Sequence, residues 1–191
     1  MEGNKMKDFK VNDIQHGMLE VTFNIDGVPY ALYPTAATNA LGDLVSALAA
    51  VHPLCDTTKW SFEKSYPANY VVWDQNAIIT EWKFTLEGDT LAIRMQDQAK
   101  GIGYNTSRHV LHETTLKVDI TDFSTMIVRE MDRIIKEYGI LGYRQHWQEH
   151  TFPIDSYLAL KQAMLKDRSF DVNKEDQTSL DEEVAILLAE I

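Results

Sequence analysis

The sequence has one cysteine, Cys55, which excludes an intrachain disulfide, a cysteine-based zinc site and a redox pair. A reducing compartment fits that count, so a cytoplasmic protein is expected. Long apolar runs are also missing. The longest candidates, near Ala40–Val51 and Val184–Ile191, fall short of the roughly 20 residues that a membrane helix needs, and no span is expected. The opening segment MEGNKMKDFKVND carries charge throughout and has no apolar stretch leading to a small-residue cleavage site, so no secretory leader is expected either. Positive charge is scarce: 18 Lys and Arg stand against 29 Asp and Glu, a net charge of −11. Such a surface repels nucleic-acid phosphates and excludes that class of partner. The acidic surplus serves either solubility or the attraction of a basic protein partner, matched patch to patch.

What is present is enough for one core, since 191 residues with 45% hydrophobic and 10% aromatic content fit a single compact domain. Leu19, Val21, Phe23 and Ile25 alternate with polar residues and predict a half-buried strand over Met18–Ile25. Asp26-Gly27 supplies a hairpin turn into Val28–Tyr33, where Pro29 suits an edge. Thr38 or Asn39 caps a helix to about Val51, ended by His52-Pro53. Strands are predicted at Trp60–Tyr66, Tyr70–Asp74, Ile78–Thr85, Thr90–Gln96 and His109–Ile120, with Asp97–Arg108 as a loop.

A helix capped by Thr121 or Asp122 follows and stops at Gly139. Shorter helices over Leu141–Glu149 and Asp155–Lys166 are divided by Phe152-Pro153. Strands followed by helices indicate an α+β fold, an antiparallel meander sheet with helices packed on one face. The expected organisation is one domain over 1–166, a polar linker over 167–177 and an amphipathic helix over 178–191. That last helix opens with the capping box Ser179-Leu180-Asp181-Glu182 and carries Leu180, Val184, Leu187, Leu188 and Ile191 at helical spacing. It docks on its own domain, in a partner's groove or against a second subunit as a homodimer.

One local pattern has a catalytic mechanism attached. His146-Trp147-Gln148-Glu149-His150 matches the inverted H-x-x-E-H arrangement, in which two histidines four apart on one helix face grip zinc beside a base. Hydrolysis there needs a third ligand, for which Glu175, Glu182 and Glu183 are the candidates, and Phe152-Pro153 breaks the helix almost at once. The pattern is an alternative only, and no cofactor or catalytic residue is expected. His109 and His112 on a strand would point to opposite faces. Gly101-Ile-Gly103 has no following helix to hold a phosphate. Cys55, with only Lys59 near it in sequence, is expected to be an ordinary thiol.

Two aromatic groups stand out: Trp60, Phe62, Tyr66, Tyr70, Trp73 and Trp82, then Tyr138, Tyr143, Trp147, Phe152 and Tyr157. Most belong to the core, but aromatics on a solvated sheet face act as interface anchors. Tyr66, Tyr70 and Trp73 are the candidates for partner binding.

Several segments follow one another in order: Asn39-Ala40-Leu41-Gly42-Asp43-Leu44, Trp60-Ser61-Phe62-Glu63, Pro67 through Trp73, Glu137-Tyr138-Gly139, Gly142-Tyr143 and His150-Thr151-Phe152-Pro153. In them the chain resembles, over residues 17–166, a family of small cytosolic bacterial proteins of the immunity or antitoxin type. It departs from that family at Tyr66-Pro67-Ala68-Asn69, where Glu-Pro-Gly-Glu is usual. The resemblance carries no functional residues. It implies an accessory protein beside a secreted toxin, and the expected function is non-enzymatic binding that masks a toxin's basic surface.

Overall fold

The computed structural model describes residues 6–55, 67–101, 109–148, 150–165 and 179–191. The fold is α+β, and its strands form two antiparallel meanders. The first contains β1 (Met6–Gln15), β2 (Met18–Ile25) and β3 (Val28–Leu32). Helix α1 (Ala40–Val51) leads to the second, made of β4 (Tyr70–Gln75), β5 (Ile78–Glu87), β6 (Thr90–Ala99) and β7 (His109–Asp119). Helices α2 (Ile120–Trp147), α3 (Ile154–Leu165) and α4 (Leu180–Leu188) follow.

Strand β1 is absent from the sequence reading for a physical reason. Its buried residues Met6, Phe9, Val11 and Ile14 break the period of two that marks a strand. The pairing with β2 slips between Lys7 and Lys10 and again between Val11 and Asp13, each time placing an extra residue on β1. The slips keep Met6 opposite Ile25, Val11 opposite Val21 and Ile14 opposite Leu19, all facing the core. Helix α2 covers the outer edge of β1. The Glu130 carboxylate accepts the Val11 N–H at 2.6 Å, and the Arg133 guanidinium donates to the Val11 carbonyl while bridging Glu130 and Glu137. An edge that would otherwise present unpaired backbone groups is thereby closed.

The hairpin at Asp26-Gly27 forms as expected, with φ of 51° and 86°, and Pro29 lies on the edge strand β3. The inner faces of the two sheets meet where the Phe23 and Trp82 rings approach at 5.8 Å. Helix α1 is buried from Ala40 to Val45 and again from Ala47 to Ala49, enclosed by β4, β5 and α3. Some boundaries differ from expectation. Strand β6 runs on to Ala99, into the segment read as a loop, because Gln98 and Ala99 still pair with β7. The cap of α2 is Asp119, whose carboxylate accepts the N–H groups of Thr121 and Asp122. The strand expected at Trp60–Tyr66 and the linker over 167–177 lie outside the described residues.

Gly139 interrupts α2 with φ 67° and ψ 175°, a conformation that in practice only glycine adopts. The break re-aims the helix so that Tyr143 and Trp147 are buried. Phe152 packs edge-to-face on Tyr143, and Tyr157 in turn packs edge-to-face on Phe152.

Candidate protein-binding surface

The histidine pattern does not assemble on one helix face. Helix α2 ends at Trp147 and Gln148 turns to φ 50°, so His150 leaves the helix before it can stand one turn beyond His146. The exposed His146 ring meets the Tyr138 ring edge-on at 5.1 Å. His150 bonds the Ala36 carbonyl through Nε2 at 2.8 Å and leans on Trp147. Glu149 lies outside the described residues. Among the described residues no three His, Cys, Asp or Glu side chains gather as a metal site.

His109 and His112 also differ from expectation. They sit opposite Ala99 and Asp97, two positions apart on β6, so a bulge at Leu111 brings both to the same face. His112 Nδ1 stands 3.9 Å from Asp97, which accepts the Thr80 hydroxyl at 2.6 Å.

The aromatic candidates separate. Tyr66 lies outside the described residues. Tyr70 is half-buried with the Lys83 ammonium 5.8 Å from its ring centroid. Trp73 is fully buried: its indole N–H donates to the Ala40 carbonyl at 3.0 Å and its ring packs on Trp82 at 4.8 Å. Trp73 therefore offers no surface to a partner. The odd spacing of Tyr70 and Trp73 on one strand already required opposite faces. Around Tyr70 the sheet surface is a polar ladder, in which Gln98 donates to Glu81 and both Gln96 and Arg94 donate to Glu113. The Arg94 hydrogen bond holds the Glu113 carboxyl below the usual range.

A cleft of about 510 Å³ opens between the start of β1, the end of β7 and the N-terminus of α2. Its floor is Met6, Phe123 and Met126, and its rim mixes Lys7 and Lys117 with Asp8, Asp119 and Asp122. Charges of both signs alternate there, and no single ligand chemistry is focused.

The most distinctive exposed apolar surface is on α4. The Ser179 hydroxyl accepts the Glu182 N–H and the Glu182 carboxylate accepts the Ser179 N–H, the capping box legible in the sequence. The helix packs on its own domain through Ile186, which is 4% exposed, together with Leu187 and Ile191. Only one flank of its apolar face is used. Leu180, Val184 and Leu188, four apart along the other flank, are 75%, 40% and 72% exposed. Asp181, Glu182 and Glu183 share the helix, which carries no basic residue, while Glu190 beyond its end pairs with Lys136 of α2 at 4.0 Å.

What holds α4 in place is a buried charge that composition does not reveal. Lys161 of α3 is fully buried, and its ammonium donates to Asp132 of α2 at 2.7 Å, to the Tyr157 hydroxyl at 3.2 Å and to the Leu187 carbonyl of α4 at 3.0 Å. The Tyr157 hydroxyl also donates to Asp132, and burial beside that carboxylate pushes the phenol pKa up. Three helices are joined at one ammonium, which fixes the outward flank of α4. In comparison with known proteins, the chain matches no protein-family model and no curated protein sequence.

Proposed function

We propose that this chain is an acidic protein-binding module that captures a basic partner on the outward flank of α4. The observation that carries the reading is the row Leu180, Val184 and Leu188, held solvent-facing on a helix whose charged residues are all acidic. An apolar stripe supplies the desolvated centre of an interface, and a rim of one sign selects a partner of the other. The resemblance to immunity and antitoxin proteins supports a toxin as the partner, masked at a basic surface. This places the binding surface on the terminal helix and not on the strand aromatics.

The test is affinity purification of the tagged full chain, alongside Leu180→Ser/Leu188→Ser, at low and high salt. A basic protein that binds the wild type, dissociates as salt rises and is retained at least about tenfold less well by the variant supports the reading. Equal retention by both chains, or binding indifferent to salt, refutes it.

A further inference from the structure

Three observations single out the outer edge of β7. First, β7 pairs with β6 on one side only, and among the described residues no backbone group bonds to its other side. Second, of its 11 residues only Leu116 is buried, and Val110 and Leu111 are more than half exposed. It carries no proline to blunt the edge, and its one bulge, at Leu111, lies toward its N-terminal end. Third, the edge of β1 is closed by the Glu130–Arg133 pair, and the edge strand β3 is only five residues long and carries Pro29, so β7 is the long edge left open among the described residues.

We propose that β7 pairs antiparallel with the β7 of a second copy, about a two-fold axis at Thr115. The charge pattern selects that occupant. Register with β6 places Glu113, Thr115 and Lys117 together on the outer sheet face, opposite Gln96, Arg94 and Ala92. A two-fold axis at Thr115 sets Glu113 of one copy against Lys117 of the other, the reciprocal pair follows by symmetry, and the threonines meet between them. Opposite charges and Thr–Thr pairs are favourable when directly across an antiparallel ladder. In that pairing Thr114 of one copy faces Leu116 of the other on the inner side, and the bulge at Leu111 lies outside this central stretch. The result is a continuous eight-stranded sheet with an isologous interface, four strands coming from each copy.

The test is sedimentation of the full chain from micromolar to millimolar concentration. Reversible growth from 21.9 kDa toward twice that mass is expected. Glu113→Lys and Lys117→Glu should each weaken association by about tenfold or more, since each puts like charges opposite at two symmetric places. The double variant restores complementarity and should recover wild-type association, while Thr115→Pro should abolish it. Lys117→Glu leaves the Arg94–Glu113 bond intact, so its effect reports on the interface and not on the ladder within one chain. A chain that stays monomeric throughout overturns the proposal. A dimer indifferent to both single reversals and to Thr115→Pro also overturns it, because the copies then meet elsewhere.

Discussion

Removing the Asp132 carboxylate is the sharpest test of what fixes the terminal helix. Lys161 has no exposed surface, and among the described residues Asp132 is its only charged partner at hydrogen-bond distance. Asp132→Ala leaves the ammonium with two neutral acceptors, the Tyr157 hydroxyl and the Leu187 carbonyl. Stripping one partner from a buried ion pair costs about 3–5 kcal/mol, a large share of the roughly 5–15 kcal/mol that stabilises a typical domain. At about 2–4 °C per kcal/mol for a chain of this size, the melting midpoint should fall by roughly 6–20 °C. Lys161→Met should cost less, about 1–3 kcal/mol, because the Asp132 side chain is 12% exposed and keeps the Tyr157 hydroxyl as donor. Asp132→Leu/Lys161→Met removes both charges and should lie closer to wild type than Asp132→Ala.

The assay is urea unfolding, with the slope m compared across variants to show that the same surface is exposed. Limited proteolysis near Leu187 reads out release of α4. If Asp132→Ala lies within about 1 kcal/mol of wild type, the value of a surface pair, the ammonium is solvated and the account of how α4 is held is wrong.

Alkaline pH should unfold the protein through its buried acids. Burial pushes the Cys55 thiol from 9.0 up to about 12 and pushes Tyr143 up as well. The folded state favours the neutral forms, so this stabilisation is complete below the unfolded pKa values. It falls by about 1.4 kcal/mol per pH unit for each group as pH rises toward the folded value. Cys55→Ala should flatten the loss between pH 9 and 12 measured by urea titration, and an unchanged slope would exclude the thiol as a contributor. Gly139→Ala should cost about 1–3 kcal/mol by circular-dichroism melting, entirely from the backbone, because an added Cβ there meets no atom within 4 Å. A neutral Gly139→Ala would mean that the kink relaxes without strain.

Where a structural decision is local, the sequence shows it. The Asp26-Gly27 hairpin, the helix break at Gly139 and the Ser179–Glu182 capping box each depend on residues within one turn. Strand β1 is hidden because two bulges shift Phe9 and Ile14 out of alternation, and bulges are set by the partner strand. The same holds at Leu111, where register with β6, not spacing, puts His109 and His112 on one face. The H-x-x-E-H pattern fails because the helix ends at Trp147, where Gly17 donates its N–H to the His146 carbonyl. That contact comes from the first hairpin and leaves no trace in the local pattern. Lys161 is the extreme case: its burial depends on Asp132, Tyr157 and Leu187, drawn from three helices.

The two proposed surfaces differ in a way that decides what each can bind. A two-fold interface places every charge near its own counterpart or a complementary one, so a surface of a single sign repels its copy. Helix α4 carries Asp181, Glu182 and Glu183 with no basic residue, and self-pairing there is opposed. Strand β7 carries Glu113 and Lys117 on either side of Thr115 and meets the symmetry condition. Salt then separates the two. Binding of a basic partner at α4 loses both steering and local attraction as ionic strength rises. Pairing through β7 loses attraction between Glu113 and Lys117, but the mutual repulsion of two chains of net charge −11 is screened at the same time. The opposing terms leave self-association far less sensitive to salt than partner capture, so one salt series on both equilibria distinguishes the surfaces without a mutation.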